Sequence, residues 1–169
     1  MKGSIVDYLM HSKKKSIIIL SIISFIFVFD QISKILVVKH FEISNQAIIL
    51  TEFLSLDLIR NDGIAFGLLG FENSSIYNLI TLIIALIIIY VLYLIQTSNT
   101  ITTYLYAMIA GGALGNLIDR ILHKSVPDFI DFHYKDFHWF IFNIADIFIT
   151  VGVLFLIFIE IIGNNKKEL

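Results

Sequence analysis

Four stretches of the chain stay apolar for about the length a helix needs to cross a bilayer: Ile17 to Val38, Ile76 to Ile95, Ile101 to Ile118 and Ile141 to Ile162. A helix rises 1.5 Å per residue, so roughly 20 residues match a hydrocarbon core of about 30 Å. The isoleucine-rich runs look strand-like in a short window, but across lipid only a helix satisfies every backbone N–H and C=O within such a segment. Between the spans the pattern changes. In the connector over residues 39 to 75, Leu54, Leu56 and Leu58 alternate with Ser55, Asp57 and Ile59, and Asn61-Asp62-Gly63 follows. That predicts a strand and a turn, and so a small sheet on the membrane surface. The connector over residues 119 to 140 interleaves Phe129, Phe132, Tyr134, Phe137, Trp139 and Phe140 with Asp, His and Lys, as an interfacial aromatic belt does. Its expected role is anchoring. In the third span Ala107, Gly111 and Gly115 recur every four residues, which predicts close helix approach.

Composition agrees with this division. Hydrophobic residues make up 57% of the chain and charged residues 15%, with a mean hydropathy of +0.87 and one proline. Lipid is the expected solvent. At 169 residues, a single integral membrane domain with no separate soluble module is expected. The net charge of -2 suggests neither a nucleic-acid partner nor a polybasic lipid sensor, and the lack of cysteine removes disulfides and thiolate chemistry. The first apolar stretch follows Lys13, Lys14 and Lys15 as a signal peptide would, but its length and the lack of a small-residue cleavage pattern predict a retained span. Four spans put both termini on one side. The tight lysine cluster before the first span, with Lys166 and Lys167 at the other end, predicts that this side is cytoplasmic. Both long connectors are then external.

Five ionisable residues lie within or at the ends of spans: Asp30, Lys34, Asp119, Arg120 and Asp146. Facing lipid at the midplane, each would cost roughly 2.5 to 3.5 kcal/mol, so they are expected to face the bundle or the interface, all in its outer half. Asp30 and Lys34 form an i,i+4 pair, Asn116 lies four residues before Arg120, and Asn143 three before Asp146. The Asp30/Lys34 pair reads first as a structural bolt between helices. Asp128 and Asp146 differ, since neither has a cation at helical spacing. Two carboxyls brought close together share a proton, so that one acts as base on a water and the other as acid, which is aspartic-peptidase chemistry and needs no metal or other cofactor. Spacing alone leaves Asp128 equally readable as a loop carboxylate and Asp146 as a helix cap. A proton relay or small transporter using the buried charges, and an inactive binding protein, also stay open. The chain has no H-E-x-x-H and no G-x-S-x-G. His123, His133 and His138 are scattered along the second connector and are expected to be solvated, with no metal site.

Five segments in chain order carry a resemblance: Asp30-Gln31-x-x-Lys34, Asn61-x-Gly63-x-Ala65-Phe66, Gly111-Gly112-Ala113-x-Gly115-Asn116-x-x-Asp119-Arg120, Asp128-Phe129 and Phe142-Asn143-x-Ala145-Asp146. Together they resemble the lipoprotein signal peptidase family, also called signal peptidase II. The resemblance implies an all-α membrane protein of four transmembrane helices with a small extracytoplasmic β-sheet or cradle and a second external connector. It further implies an aspartic peptidase of the bacterial plasma membrane that removes signal peptides from diacylglyceryl-modified prolipoproteins, cutting before the lipidated cysteine. Asp128 and Asp146 match the catalytic pair. Asn116, Arg120 and Asn143 match positions lining the site, Asn61 matches a substrate-facing residue, and Asp30 and Lys34 match a supporting motif. Lipid-modified prolipoproteins and membrane lipids are the expected partners of a monomer whose active site lies near the outer face. Two positions depart from the family pattern: Pro127 stands where an aliphatic residue is expected, and Ile147 where a small polar residue is common.

Overall fold

The structure, a computed structural model, describes residues 5–44, 46–62, 74–98 and 100–165. Its elements in chain order are α1 (Ile5–Ser44), β1 (Ile48–Ile49), β2 (Leu54–Asn61), α2 (Ser74–Thr97), α3 (Thr100–His123), β3 (Val126–Tyr134), β4 (Phe137–Phe142) and α4 (Ile144–Asn165). Each of the four helices contains a segment long and apolar enough to cross a membrane. The predicted spans fall within them, apart from the start of the fourth.

The helices bury polar residues and expose apolar ones. Asp30, Lys34, Asn116, Asp119 and Asn143 are buried, while Leu20, Phe25, Leu36, Ile89 and Phe158 face outward. Water would penalise that arrangement, whereas lipid favours it. The central helix is α3, which packs against α1, α2 and α4. Its small residues permit the approach: a Cβ on Gly111 would lie 3.0 Å from the Ile23 carbonyl of α1, and one on Gly112 would lie 2.6 Å from the Ala145 carbonyl of α4. A side chain at Gly115 would run into the Asp30 carboxylate.

Both long connectors emerge at the same end of the bundle and combine there. The sheet is antiparallel with order β1-β2-β3-β4, so the second connector supplies two of its four strands. The strand expected at Leu54 to Ile59 is β2; the turn expected after it reaches Gly63, which lies outside the described residues. Lys124 closes α3 in the left-handed region (φ 56°), as a C-terminal helix cap, and the chain turns directly into β3. Lys135 (φ 53°) makes the two-residue turn of the β3–β4 hairpin.

The fourth span needs correction. Ile141 and Phe142 belong to β4, and the helix begins only at Ile144. Hydropathy runs unbroken through Phe140-Ile141-Phe142 into α4, so it cannot mark the change. Asn143 marks it, as the N-cap. At the other end of the hairpin, α3 runs one turn past the predicted Ile118 limit, which places Asp119 and Arg120 inside the helix.

Candidate active site

The bundle end beneath the sheet holds a connected polar network, built around the start of α4. Asn143 Oδ1 accepts the Asp146 N–H (3.1 Å), and Asp146 Oδ2 accepts the Asn143 N–H (3.2 Å). This is a capping box with Asn and Asp in place of the usual Ser/Thr and Glu. The capping reading of Asp146 therefore holds, but only one of its oxygens is used this way. Asp146 Oδ1 turns toward α3 and accepts from Asn116 Nδ2 at 2.8 Å.

Asp128 arrives from the sheet as a buried side chain on β3, not as a loop carboxylate. In the β2–β3 register it faces Ile59, which makes Asn61 its diagonal neighbour, and Asn61 Nδ2 donates to Asp128 Oδ2 at 2.7 Å. Asn143 Nδ2 donates to Asp128 Oδ1 at 2.5 Å and to Asn116 Oδ1 at 3.1 Å. One asparagine thus caps α4 and ties the Asp128 carboxyl to the element bearing Asp146. Burial pushes the Asp128 carboxyl up to about 6, and the nearby Asp146 charge adds to the rise, while the Asn61 and Asn143 amides and the Lys34 charge hold it down.

Lys34 anchors the network from α1. Its ammonium donates to Asp30 Oδ2 (2.7 Å), Asn116 Oδ1 (2.8 Å) and Asp119 Oδ2 (2.7 Å), so all three of its N–H groups have a buried acceptor. This contact also orients the Asn116 amide. With its oxygen facing the cation, its NH2 faces Asp146. Asp30 Oδ1 accepts the Ala145 N–H at 2.9 Å, so α1 satisfies a second free donor in the first turn of α4. The bolt reading of Asp30 and Lys34 fits, and it ties α1, α3 and α4 together. Arg120 is buried and its Nη1 donates to the Asn116 carbonyl at 3.1 Å.

Of the residues singled out by sequence, Asn61, Asn116, Asp128, Asn143 and Asp146 join in one network, with Asp30, Lys34 and Arg120 attached through Asn116. Gly63, Ala65 and Phe66 lie outside the described residues. Sequence reasoning gave no separate role to Gln31, whose Nε2 donates to the Gly115 carbonyl (3.3 Å) and to Asp119 (3.4 Å). No helical spacing marks it, since its partners beyond the adjacent Asp30 are on another helix. Pro127 is buried in β3 opposite Arg60.

Among the grooves that border the network, one opens beside each carboxyl. One, of about 370 Å³, is lined by Ile59, Arg60, Asn61, Asp128, His138 and Trp139 among others. The other, of about 340 Å³, lies between β4 and α4 and is lined by Phe140, Phe142, Asp146, Ile147, Thr150 and Val151. The first is lined by charged and polar groups as well as apolar ones, the second by apolar groups apart from Asp146 and Thr150. Two carboxyls held by amide donors, without a cation directly on either in the network described, can hold one proton between them and polarise a water.

A model of the signal peptidase (SPase) II family matches residues 22–162. The chain is 49% identical over 149 residues to the lipoprotein signal peptidase of Pelagibacter ubique (strain HTCC1062), covering 88% of this chain and 90% of that protein. It is 37% identical over 143 residues to that of Clostridium tetani (strain Massachusetts / E88), covering 83% and 90%. Among solved structures it is similar to a bacterial membrane enzyme determined by the in meso method, with a TM-score of 0.69, 30% identity and coverage of 89% and 91%.

Proposed function

The chain belongs to the signal peptidase II family, and from that membership we propose that it is an aspartic endopeptidase which removes signal peptides from diacylglyceryl-modified prolipoproteins, with Asp128 and Asp146 as its catalytic pair. It is a multi-pass membrane protein and a peptidase of lipoprotein precursors. The observation that carries the catalytic assignment is Asn143, whose side chain holds Asp128 while its backbone N–H holds Asp146.

In this reading a water between the two carboxyls loses a proton to one of them and attacks the scissile carbonyl. The other carboxyl hydrogen-bonds the developing oxyanion and passes a proton to the leaving amide nitrogen. Asn61, Asn116 and Asn143 fix the carboxyl planes, so little reorganisation accompanies the charge movement. Asp30 and Lys34 are positioning residues, acting through Asn116 and the α4 N-terminus. The groove beside Asp146 suits an apolar stretch of signal peptide or an acyl chain, and Ile147 makes it more apolar than a small polar residue would. The groove beside Asp128 suits the polar residues across the cleavage point, which is the bond before the lipidated cysteine.

The whole chain acts as one membrane domain, a monomer surrounded by lipid, with both termini cytoplasmic and the sheet on the outer side. Lys13, Lys14 and Lys15, on α1 at the end away from the sheet, support this orientation. Purified protein in lipid bicelles, given a diacylglyceryl-modified prolipoprotein, should release a signal peptide ending at the residue before the cysteine, as read by mass spectrometry. Release of an unlipidated precursor's signal peptide at the same rate, or a cut elsewhere, would count against the substrate assignment.

A further inference from the structure

A second cluster of titratable side chains lies farther along β3. We propose that Asp131, His133 and His138 form a binding site for one divalent transition-metal ion of the zinc class, on the β3–β4 hairpin beside the groove over Asp128. The sequence reading expected these histidines to be solvated and apart; the hairpin brings two of them together. His133 and His138 are register partners across the hairpin, and Asp131 lies two residues before His133 on the same strand. His138 Nδ1 is 2.8 Å and His133 Nδ1 3.3 Å from Asp131 Oδ2, and the three candidate ligand atoms lie within 4.8 Å of one another. Metal bonds of about 2.0–2.2 Å in tetrahedral geometry separate ligand atoms by roughly 3.3–3.6 Å, so small side-chain rotations suffice.

Hydrogen bonding within the cluster leaves it unfinished. Asp131 is 1% exposed, and its Oδ2 takes donors from Ser55 Oγ (3.1 Å) and His138, yet its Oδ1 is buried with no hydrogen-bond partner. His133 Nδ1 is likewise buried and makes no hydrogen bond despite its proximity to the carboxylate. One acidic oxygen and one imidazole nitrogen of the cluster are thus buried without a hydrogen bond, which is costly for either group if left so. An ion bound there satisfies both. Two imidazoles and one carboxylate favour zinc-like ions over magnesium or calcium, which prefer oxygen ligands. Exposed His138 leaves the fourth position open to water. Ser55 supports the carboxylate from β2, as an outer-shell partner does.

The ion has no part in the peptidase chemistry proposed above. His138 and Asp128 line the same groove, so occupancy would fix the β4 wall against β3. The test uses full-length, tag-free protein in detergent, stripped with chelator and titrated with Zn2+ against a chromophoric chelator, then with Co2+ followed by visible absorption. One equivalent should bind per chain, with the intense d–d bands of low-coordinate Co2+. His133→Ala and His138→Ala should each weaken binding more than about tenfold and the double variant abolish it, while His40→Ala, His123→Ala and Asp128→Asn bind as wild type. Failure to bind one equivalent, or equal binding by the His133→Ala/His138→Ala variant, would overturn the site. Because Asp128→Asn is expected to bind normally, this outcome is independent of the catalytic assignment.

Discussion

Replacing Asn143 by serine separates its two duties. Serine ranks with asparagine as an N-cap, so its hydroxyl can still accept the Asp146 N–H, and the backbone N–H stays in place for Asp146 Oδ2. It is too short to reach Asp128 Oδ1 or Asn116 Oδ1, both of which the Asn143 amide holds. A hydrogen bond to a charged group contributes about 1.5–3 kcal/mol. If that bond positions Asp128 in the transition state, then at 1.36 kcal/mol per decade kcat/KM should fall between roughly tenfold and 150-fold. Both Asn143→Ser and Asn143→Ala lose the amide's bonds to Asp128 and Asn116, so the cap shows in the difference between them: the Ala variant should be about 1 kcal/mol less stable than the Ser variant. The assay pairs initial rates of lipidated prolipoprotein cleavage with thermal unfolding in the same detergent. Wild-type kcat/KM in a stable Asn143→Ser protein would refute the bridging role, and equal stability of the Ser and Ala variants would refute the capping role.

Lys34→Met leaves the buried carboxylates of Asp30 and Asp119 without their shared cation and should cost about 3–5 kcal/mol, with part of the loss recovered in Lys34→Met/Asp30→Asn; chemical unfolding of wild type, both single variants and the double variant measures the coupling. Gly112→Ala, forced against the Ala145 carbonyl, should destabilise by about 1–3 kcal/mol, while Gly163→Ala, with open space around it, should not; unfolding temperatures distinguish them. Folding moves the Asp128 carboxyl from 3.8 to about 6, so the folded state binds this proton more tightly, and the resulting stabilisation is complete below pH 3.8 and lost as pH rises through 6. Relative to wild type, Asp128→Asn should therefore gain stability between pH 4 and pH 7, by up to about 3 kcal/mol. Asn61→Ala removes a donor that favours the charged carboxylate and should move the limb of the pH–kcat/KM profile governed by Asp128 to higher pH.

The spans were legible because length and apolarity suffice to define a helix in lipid. The start of α4 was not, since Phe140 to Phe142 are as apolar as the helix and Asn143 signals a cap only once a helix is known to follow. Asp30 and Lys34 were visible as an i,i+4 pair, but the pair's reach to Asn116, Asp119 and the Ala145 N–H depends on how α1, α3 and α4 meet. Asp128 and Asp146 stood out as acids lacking a nearby cation, and the amides that hold them come from three separate elements. Asp131, His133 and His138 carried no helical or motif spacing. Their convergence follows from the hairpin register and the bulge between Phe132 and His133, which no local pattern announces.

The central claim is that Asp128 and Asp146 act together on the peptide bond. It is tested most directly by comparing single-turnover cleavage of a diacylglyceryl-modified prolipoprotein by wild type, Asp128→Asn, Asp146→Asn and the double variant, each first shown to be folded and membrane-inserted. Residues that act as a unit are strongly non-additive, so each single variant should lose nearly as much rate as the double, with cleavage reduced at least about a thousandfold in all three. Processing at the wild-type rate by either folded single variant would contradict the assignment.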